Sequence, residues 1–222
     1  MIKILDNAKA FIFDLNGTMI NDMQYHIEVW RNIVNGYGAN LSLNEVKKQC
    51  YGKNGDLLER IFPNRFSDEE KDKIGLEKEK IYQKIYLPHL KLINGLDVFL
   101  EQAKAKNIKL GIGSAAIMFN INFVLDGLKI KPYFKSIVSA DNVAYSKPHP
   151  ETFTKCADQL GVAYKDCIVF EDAPKGIECA ANAGMQCVVL TTMHPKEDFA
   201  AYDNIICFVE DYTTLITYNI VK

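Results

Sequence analysis

Six short apolar runs, spaced by segments of helix length, constrain the fold more than anything else in these 222 residues. They are 10–13 (Ala-Phe-Ile-Phe), 108–113 (Ile-Lys-Leu-Gly-Ile-Gly), 136–139, 167–170 (Cys-Ile-Val-Phe), 187–191 (Cys-Val-Val-Leu-Thr) and 205–209 (Ile-Ile-Cys-Phe-Val). Most hold too few polar residues to alternate, which is the pattern of strands buried on both faces. Between them, 95–106, 117–128, 150–160 and 174–183 carry apolar residues at helical spacing, for example Leu96, Phe99, Leu100 and Ala103. Strand and helix alternate, so the economical fold is α/β: a doubly wound parallel sheet with helices on both faces.

Residues 20–90 break that rhythm. They hold no comparable strand run but two capping boxes, Ser42-Leu43-Asn44-Glu45 and Ser67-Asp68-Glu69-Glu70, each opening a helix. Helices are expected near 22–36, 42–50, 54–62 and 67–86, the last with Ile74, Ile81 and Ile85 on a narrow apolar stripe. The expected organisation is a core of residues 1–19 and 91–222 with an inserted helical cap at 20–90, joined through hinges at 20–24 and 88–94.

The charge balance narrows the partners. With 26 basic and 28 acidic residues and no long like-charge run, nothing favours nucleic acid or a membrane surface, and a small molecule is expected. Cys50, Cys156, Cys167, Cys179, Cys187 and Cys207 form no C-x-x-C pair and lie mostly in apolar runs, as reduced structural thiols do. Charge interrupts Met1-Ile2-Lys3-Ile4-Leu5-Asp6 before a secretory apolar segment forms, and no run approaches the ~18 residues of a membrane span. The expectation is a cytoplasmic protein, monomeric or a small homo-oligomer.

In open α/β sheets, ligands bind beyond the carboxyl ends of the strands. Asp14 follows the first run and Ser114 the second; Lys147 lies a few residues past the third, and Glu171-Asp172 follow the fourth. Each has a bland reading, as turn former, helix cap or solvated loop residue. Together at one rim they suit phosphate chemistry. Paired carboxylates beside the Gly17 turn suit Mg²⁺, a hard cation that keeps waters and substrate phosphate in its shell. Lys147, Ser114 and the backbone N–H groups of the 15–18 turn supply donors to a phosphoryl group, and Asp14 can attack phosphorus to give an aspartyl phosphate.

Four motifs carry a resemblance: Phe13-Asp14-Leu15-Asn16-Gly17-Thr18, Gly113-Ser114-Ala115, Ser146-Lys147-Pro148-His149-Pro150 followed by Phe153, and Glu171-Asp172-Ala173-Pro174-Lys175-Gly176 running into Ala180-Ala181-Asn182-Ala183-Gly184. Over nearly its whole length the chain resembles the haloacid dehalogenase (HAD) superfamily, in its β-phosphoglucomutase-like phosphatase branch with a helical cap. The resemblance implies a Mg²⁺-dependent phosphohydrolase of small, sugar-phosphate-type metabolites. It makes Asp14 the nucleophile and a metal ligand, assigns the metal also to Glu171, Asp172 and the Asn16 main-chain carbonyl, and gives phosphate binding to Gly17, Thr18, Ser114, Ala115 and Lys147.

The departure from the pattern is Asn16. Similar phosphatases and mutases carry there an aspartate that protonates the leaving oxygen, a role an amide cannot fill; losing such help costs a factor of about 10²–10⁴. Three explanations compete. The substrate has a good leaving group; the cap supplies the missing group, as the Schiff-base lysine of phosphonoacetaldehyde hydrolases does, with Lys53 the candidate; or the substitution is engineered or the protein binds phosphate without turnover. His26 matches a cap-entry histidine of the branch and is a candidate proton relay. The mutases' cap arginine has no clean counterpart in Gly52-Lys53-Asn54-Gly55, which weighs against mutase activity more than hydrolase activity.

Overall fold

The computed structural model describes residues 7–217, so the N-terminal reading at 1–6 and the last five residues of the expected core lie outside the described residues. The chain divides into two compact units, Met1–Asn21 with Lys91–Lys222, and Asp22–Leu90.

The first unit is built on six parallel strands: β1 (Ala10–Phe13), β2 (Lys109–Gly113), β3 (Ser136–Val138), β4 (Cys167–Glu171), β5 (Gln186–Leu190) and β6 (Ile205–Val209). Their order is β3-β2-β1-β4-β5-β6, every adjacent pair parallel. The six apolar runs are thus the six strands, each within a residue or two of its expected bounds.

The period-two pattern of β1 sets the two faces of the sheet. Phe11 and Phe13 point to one face, where they pack with Phe99, Phe170 and Tyr212; the Phe13 and Phe170 rings stack at 4.7 Å. Ala10 and Ile12 point to the other, into a core with Val169, Phe153, Cys156 and Ile177. Register places Phe13 beside Phe170 and Ile12 beside Val169, so each face of β1 continues across β4. Because β1 is flanked by β2 on one side and β4 on the other, the winding direction reverses at β1/β4, and the crevice this opens lies at the carboxyl ends of those strands.

The second unit holds α1 (Met23–Gly36), α2 (Leu43–Lys47), α3 (Asn54–Ile61) and α4 (Asp68–Tyr86). Both capping boxes form, Ser42 with Glu45 and Ser67 with Glu70. Two expectations need correction. Helix α2 stops short of the expected 50, because Arg60 reaches from α3 to bond the Gln49 and Tyr51 carbonyls at 2.6 and 2.7 Å and holds 49–51 as a turn. On α4, Ile81 and Ile85 are exposed, and the buried face is Ile74, Gly75, Lys78, Glu79, Tyr82 and Tyr86. Lys78 and Glu79 are interior because they are paired there, which a hydrophobicity pattern counts as solvent-facing. Among the described residues no helix is long and apolar enough to cross a membrane.

Candidate active site

Asp14 leaves β1 at the reversal point, its N–H donating to the Phe170 carbonyl at 2.9 Å. Glu171 ends β4 and Asp172 follows it, so three buried carboxylates gather at the ends of two adjacent strands. Lys147 lies among them, buried, with Nζ 2.7 Å from Asp14 Oδ1 and 2.8 Å from Glu171 Oε1, and 4.5 Å above the Phe153 ring. Burial alone would lower the Lys147 pKa, but the Asp14 and Glu171 carboxylates outweigh it and hold the ammonium charged.

Glu171 is committed on both sides. Oε1 takes Lys147, while Oε2 accepts the Asp172 and Ala173 N–H groups, each at 2.7 Å, at the start of the nine-residue helix α8 (Pro174–Asn182), which follows α5 (Leu96–Ala105), α6 (Met118–Gly127) and α7 (Glu151–Leu160). Gly176 makes this possible, since a Cβ there would sit 1.7 Å from Glu171 Oε1. Asp172 lies against Gly17 in the same way: at φ +76°, a Cβ on Gly17 would fall 2.0 Å from Asp172 Oδ2. Thr18 Oγ1 donates to Asp172 Oδ1 at 3.2 Å.

The remaining residues expected at the rim divide. Ser114 is buried just past β2, its N–H on the Val138 carbonyl at 3.0 Å and its Oγ accepting the Ala116 N–H at 3.2 Å, with Ala115 between them. The Gly17 and Thr18 amides, expected at a phosphoryl group, are bonded within the turn to the Ile20 and Leu15 carbonyls. Asn16 pairs with Ile20 in an isolated bridge of the same turn.

His26 and Lys53 lie in the helical unit. His26 is buried on α1, with Nε2 3.1 Å from Asp22 Oδ2 and Nδ1 2.5 Å from Lys78 Nζ. An ammonium only donates, so Nδ1 accepts and the ring proton sits on Nε2, directed at Asp22. Tyr82 also donates to Asp22, and its phenol is pushed up by burial and by that carboxylate. Lys78 bonds Glu79 at 3.0 Å, and Asn54 Nδ2 donates to Glu79 Oε1 at 2.9 Å. Burial would raise the Glu79 pKa, but Lys78, His26 and the Asn54 hydrogen bond together outweigh it and the carboxyl is lowered. Lys53 is half-buried at the N-cap of α3, its N–H donating to Asp56 Oδ2 at 3.0 Å. The sequence reading missed Lys78, Glu79 and Tyr82. The i,i+4 pairs Asp22/His26 and Lys78/Tyr82 were visible, but nothing in the sequence says that these two helices face each other.

The carboxylate cluster fits a hard cation. Burial, then the Glu171 and Asp14 charges, push Asp172 well above the usual carboxylate range, against the opposing pull of Thr18 and Lys147. A divalent ion among these oxygens would relieve that crowding, and the donors are all oxygen. Among the described residues no three His, Cys, Asp or Glu side chains converge as a ready-made cage. The buried thiols are poorly placed for nucleophilic work: burial pushes Cys156 and Cys179 up to about 12.

The family model of haloacid dehalogenase-like hydrolases matches residues 11–190, from within β1 to the end of β5. The chain belongs to that family. This HAD-like hydrolase is 31% identical over 186 residues to a β-phosphoglucomutase of Bacillus subtilis, covering 80% of each chain. It is 28% identical over 179 residues to a fructose-1-phosphate phosphatase of Escherichia coli, covering 81% of this chain and 94% of that one. Among solved structures, a β-phosphoglucomutase from Clostridium difficile superposes with a TM-score of 0.81 at 28% identity, over 96% of this chain and 97% of its own. A HAD hydrolase of Entamoeba histolytica gives a TM-score of 0.85 at 27% identity, with 96% and 97% covered. The six-stranded parallel sheet and helical unit are the HAD fold, and the chain is an enzyme of the hydrolase class.

Proposed function

We propose that this HAD-like hydrolase removes the phosphoryl group from small phosphorylated metabolites of the sugar-phosphate type, with Mg²⁺ and through a phosphoryl group carried on Asp14. The observation that carries the reading is Asp14 at the end of β1, at the reversal point of the sheet, with Lys147 2.7 Å from its Oδ1 and Asp172 cradled against Gly17. The names of the relatives support the substrate class: besides the Escherichia coli enzyme, a phosphorylated carbohydrates phosphatase of Thermotoga maritima is 26% identical over 183 residues.

Asp14, Asp172 and the Asn16 main-chain carbonyl would hold the metal, with Glu171 fixed beside them by Lys147 and two backbone amides. When bound, the cation neutralises charge on the phosphoryl oxygens. An Asp14 oxygen attacks phosphorus and the bond to the ester oxygen breaks; the electron pair leaves with that oxygen, which takes its proton from water because the N–H groups of the Asn16 amide are too weakly acidic to supply one. Water then attacks the phosphorus of the acyl phosphate, releasing inorganic phosphate and regenerating the Asp14 carboxylate. Lys147 orients Asp14, and its charge with the Ser114 hydroxyl and the Ala115 segment favours the phosphoryl group. Selection of the substrate is assigned to the helical unit, Lys53 and His26 among its residues. The mutase relatives favour a second reading, transfer of the phosphoryl group between positions of one sugar. A panel of phosphorylated metabolites with Mg²⁺, run on the protein and on Asp14→Ala, tests both. Phosphate release lost in Asp14→Ala supports hydrolysis; isomerised sugar phosphate without release supports the mutase; release that persists in Asp14→Ala overturns the assignment of the nucleophile.

A further inference from the structure

We infer that Tyr212 and Thr192 are positioning residues that hold the catalytic turn at Gly17–Thr18 and clasp it to the segment where the chain re-enters the sheet unit. The catalytic meaning of this clasp rests on the proposed function; its structural content does not.

Tyr212 is fully buried, its ring among Phe13, Phe99 and Phe170. A phenylalanine would fill such an aromatic nest as well, and a phenol buried there costs desolvation unless its hydroxyl is used. The hydroxyl is used: it donates to the Thr18 carbonyl at 3.0 Å. The Tyr212 backbone N–H donates to the Asn94 carbonyl at 3.0 Å, and the Ile93 N–H donates to the Met19 carbonyl at 2.9 Å. One residue thus ties the outgoing segment at 18–19 to the returning segment at 93–94. Gly95 admits this close approach, since at φ +80° a Cβ there would fall 2.9 Å from the Thr213 nitrogen.

Thr192, just past β5, holds the neighbouring peptide: its Oγ1 donates to the Gly17 carbonyl at 2.6 Å. Two successive carbonyls of the catalytic turn are therefore fixed by hydroxyls from a distant part of the chain. Between them Thr18 presents its own hydroxyl to Asp172 at 3.2 Å. Freeing the Thr18 carbonyl lets that peptide rotate and carries the Asp172 contact with it, so the cation assigned to Asp172 would be held less tightly.

The test compares Tyr212→Phe and Thr192→Val with the parent and with Ile121→Val, a conservative change in the buried face of α6. Two readouts need no turnover: amide hydrogen exchange without metal, and Mg²⁺ binding by calorimetry without substrate. Loss of a supporting hydrogen bond behind a ligand weakens metal binding by about 10–100-fold, and that rise in dissociation constant is expected for Tyr212→Phe. Exchange should accelerate at 17–20 and 93–95 but not along β5, whereas Ile121→Val leaves both readouts unchanged. Exchange that is unaltered, or that rises uniformly, overturns the clasp, and an unchanged Mg²⁺ affinity overturns its link to the metal site. If Tyr212→Phe does not fold, Thr192→Val carries the same comparison at the Gly17 carbonyl. If the parent binds no Mg²⁺ at all, the proposed function fails, and the exchange pattern still decides the clasp.

Discussion

Replacing Lys147 with methionine keeps a side chain of similar reach against Phe153 and removes the ammonium that faces Asp14 at 2.7 Å and Glu171 at 2.8 Å. All three residues are buried, so the carboxylates left behind cannot recover their hydration. Breaking a buried ion pair from one side costs about 3–5 kcal/mol. For a chain of this length about 1 kcal/mol corresponds to 2–4 °C, so Lys147→Met should lower Tm by roughly 6–20 °C at neutral pH in EDTA. The pH dependence gives the sharper check. In the parent, the folded Lys147 pKa is raised above 10.5, so its contribution is fully present below that value and is lost only as pH rises through the folded one. The gap between parent and variant should therefore hold from neutral pH to 10.5 and narrow as pH rises beyond it. Thermal unfolding followed by circular dichroism across that range measures it. A loss below about 1 kcal/mol at neutral pH, or a gap that does not narrow above pH 10.5, would show that Lys147 is not the counter-charge of this site.

Three further outcomes follow from the same geometry. Asn16→Asp restores a proton-carrying group and should raise phosphomonoesterase activity at least about tenfold, most for substrates with poor leaving groups; equal rates in purified protein would show that another group already does this work. In EDTA, Asp172→Asn should stabilise the protein: the raised folded pKa of Asp172 makes the parent lose stability as pH rises above about 4, a loss the amide does not share. The same variant should gain little Tm on addition of Mg²⁺, where the parent gains several degrees, and a parent that gains none would contradict the metal assignment. Gly17→Ala places a Cβ 2.0 Å from Asp172 Oδ2 at a positive φ and should cost more than about 1 kcal/mol while abolishing phosphate release; a fully active, equally stable variant would show that the Gly17 cradle is not needed.

The sheet was legible because buried parallel strands leave dense apolar runs, and because a carboxylate directly after such a run, as at Asp14 and Glu171-Asp172, has one strand end to occupy. Lys147 was placed at the rim because it follows the run 136–139 by a few residues; in the fold that run is the edge strand β3, and the chain beyond it brings Lys147 to Asp14. What stayed hidden is pairing across distance. Ile81 and Ile85 looked interior and Lys78 and Glu79 solvated, because a hydrophobicity pattern cannot see that a buried lysine and glutamate satisfy each other and His26. Likewise Thr192 and Tyr212 carry no motif: their roles come from two carbonyls contributed 175 and 194 residues earlier, a relation that exists only once the chain is folded. The turn at 17–20 also spends its own Gly17 and Thr18 amides internally, which motif spacing alone did not indicate.

The central claim is that Asp14 carries the phosphoryl group. Acid quenching of the protein during turnover with Mg²⁺, followed by peptide mass spectrometry, tests it most directly. A phosphorylated peptide containing Asp14 is expected, absent from Asp14→Asn. Continued release of inorganic phosphate with no phosphorylated Asp14 peptide, or with the label on another residue, would contradict it.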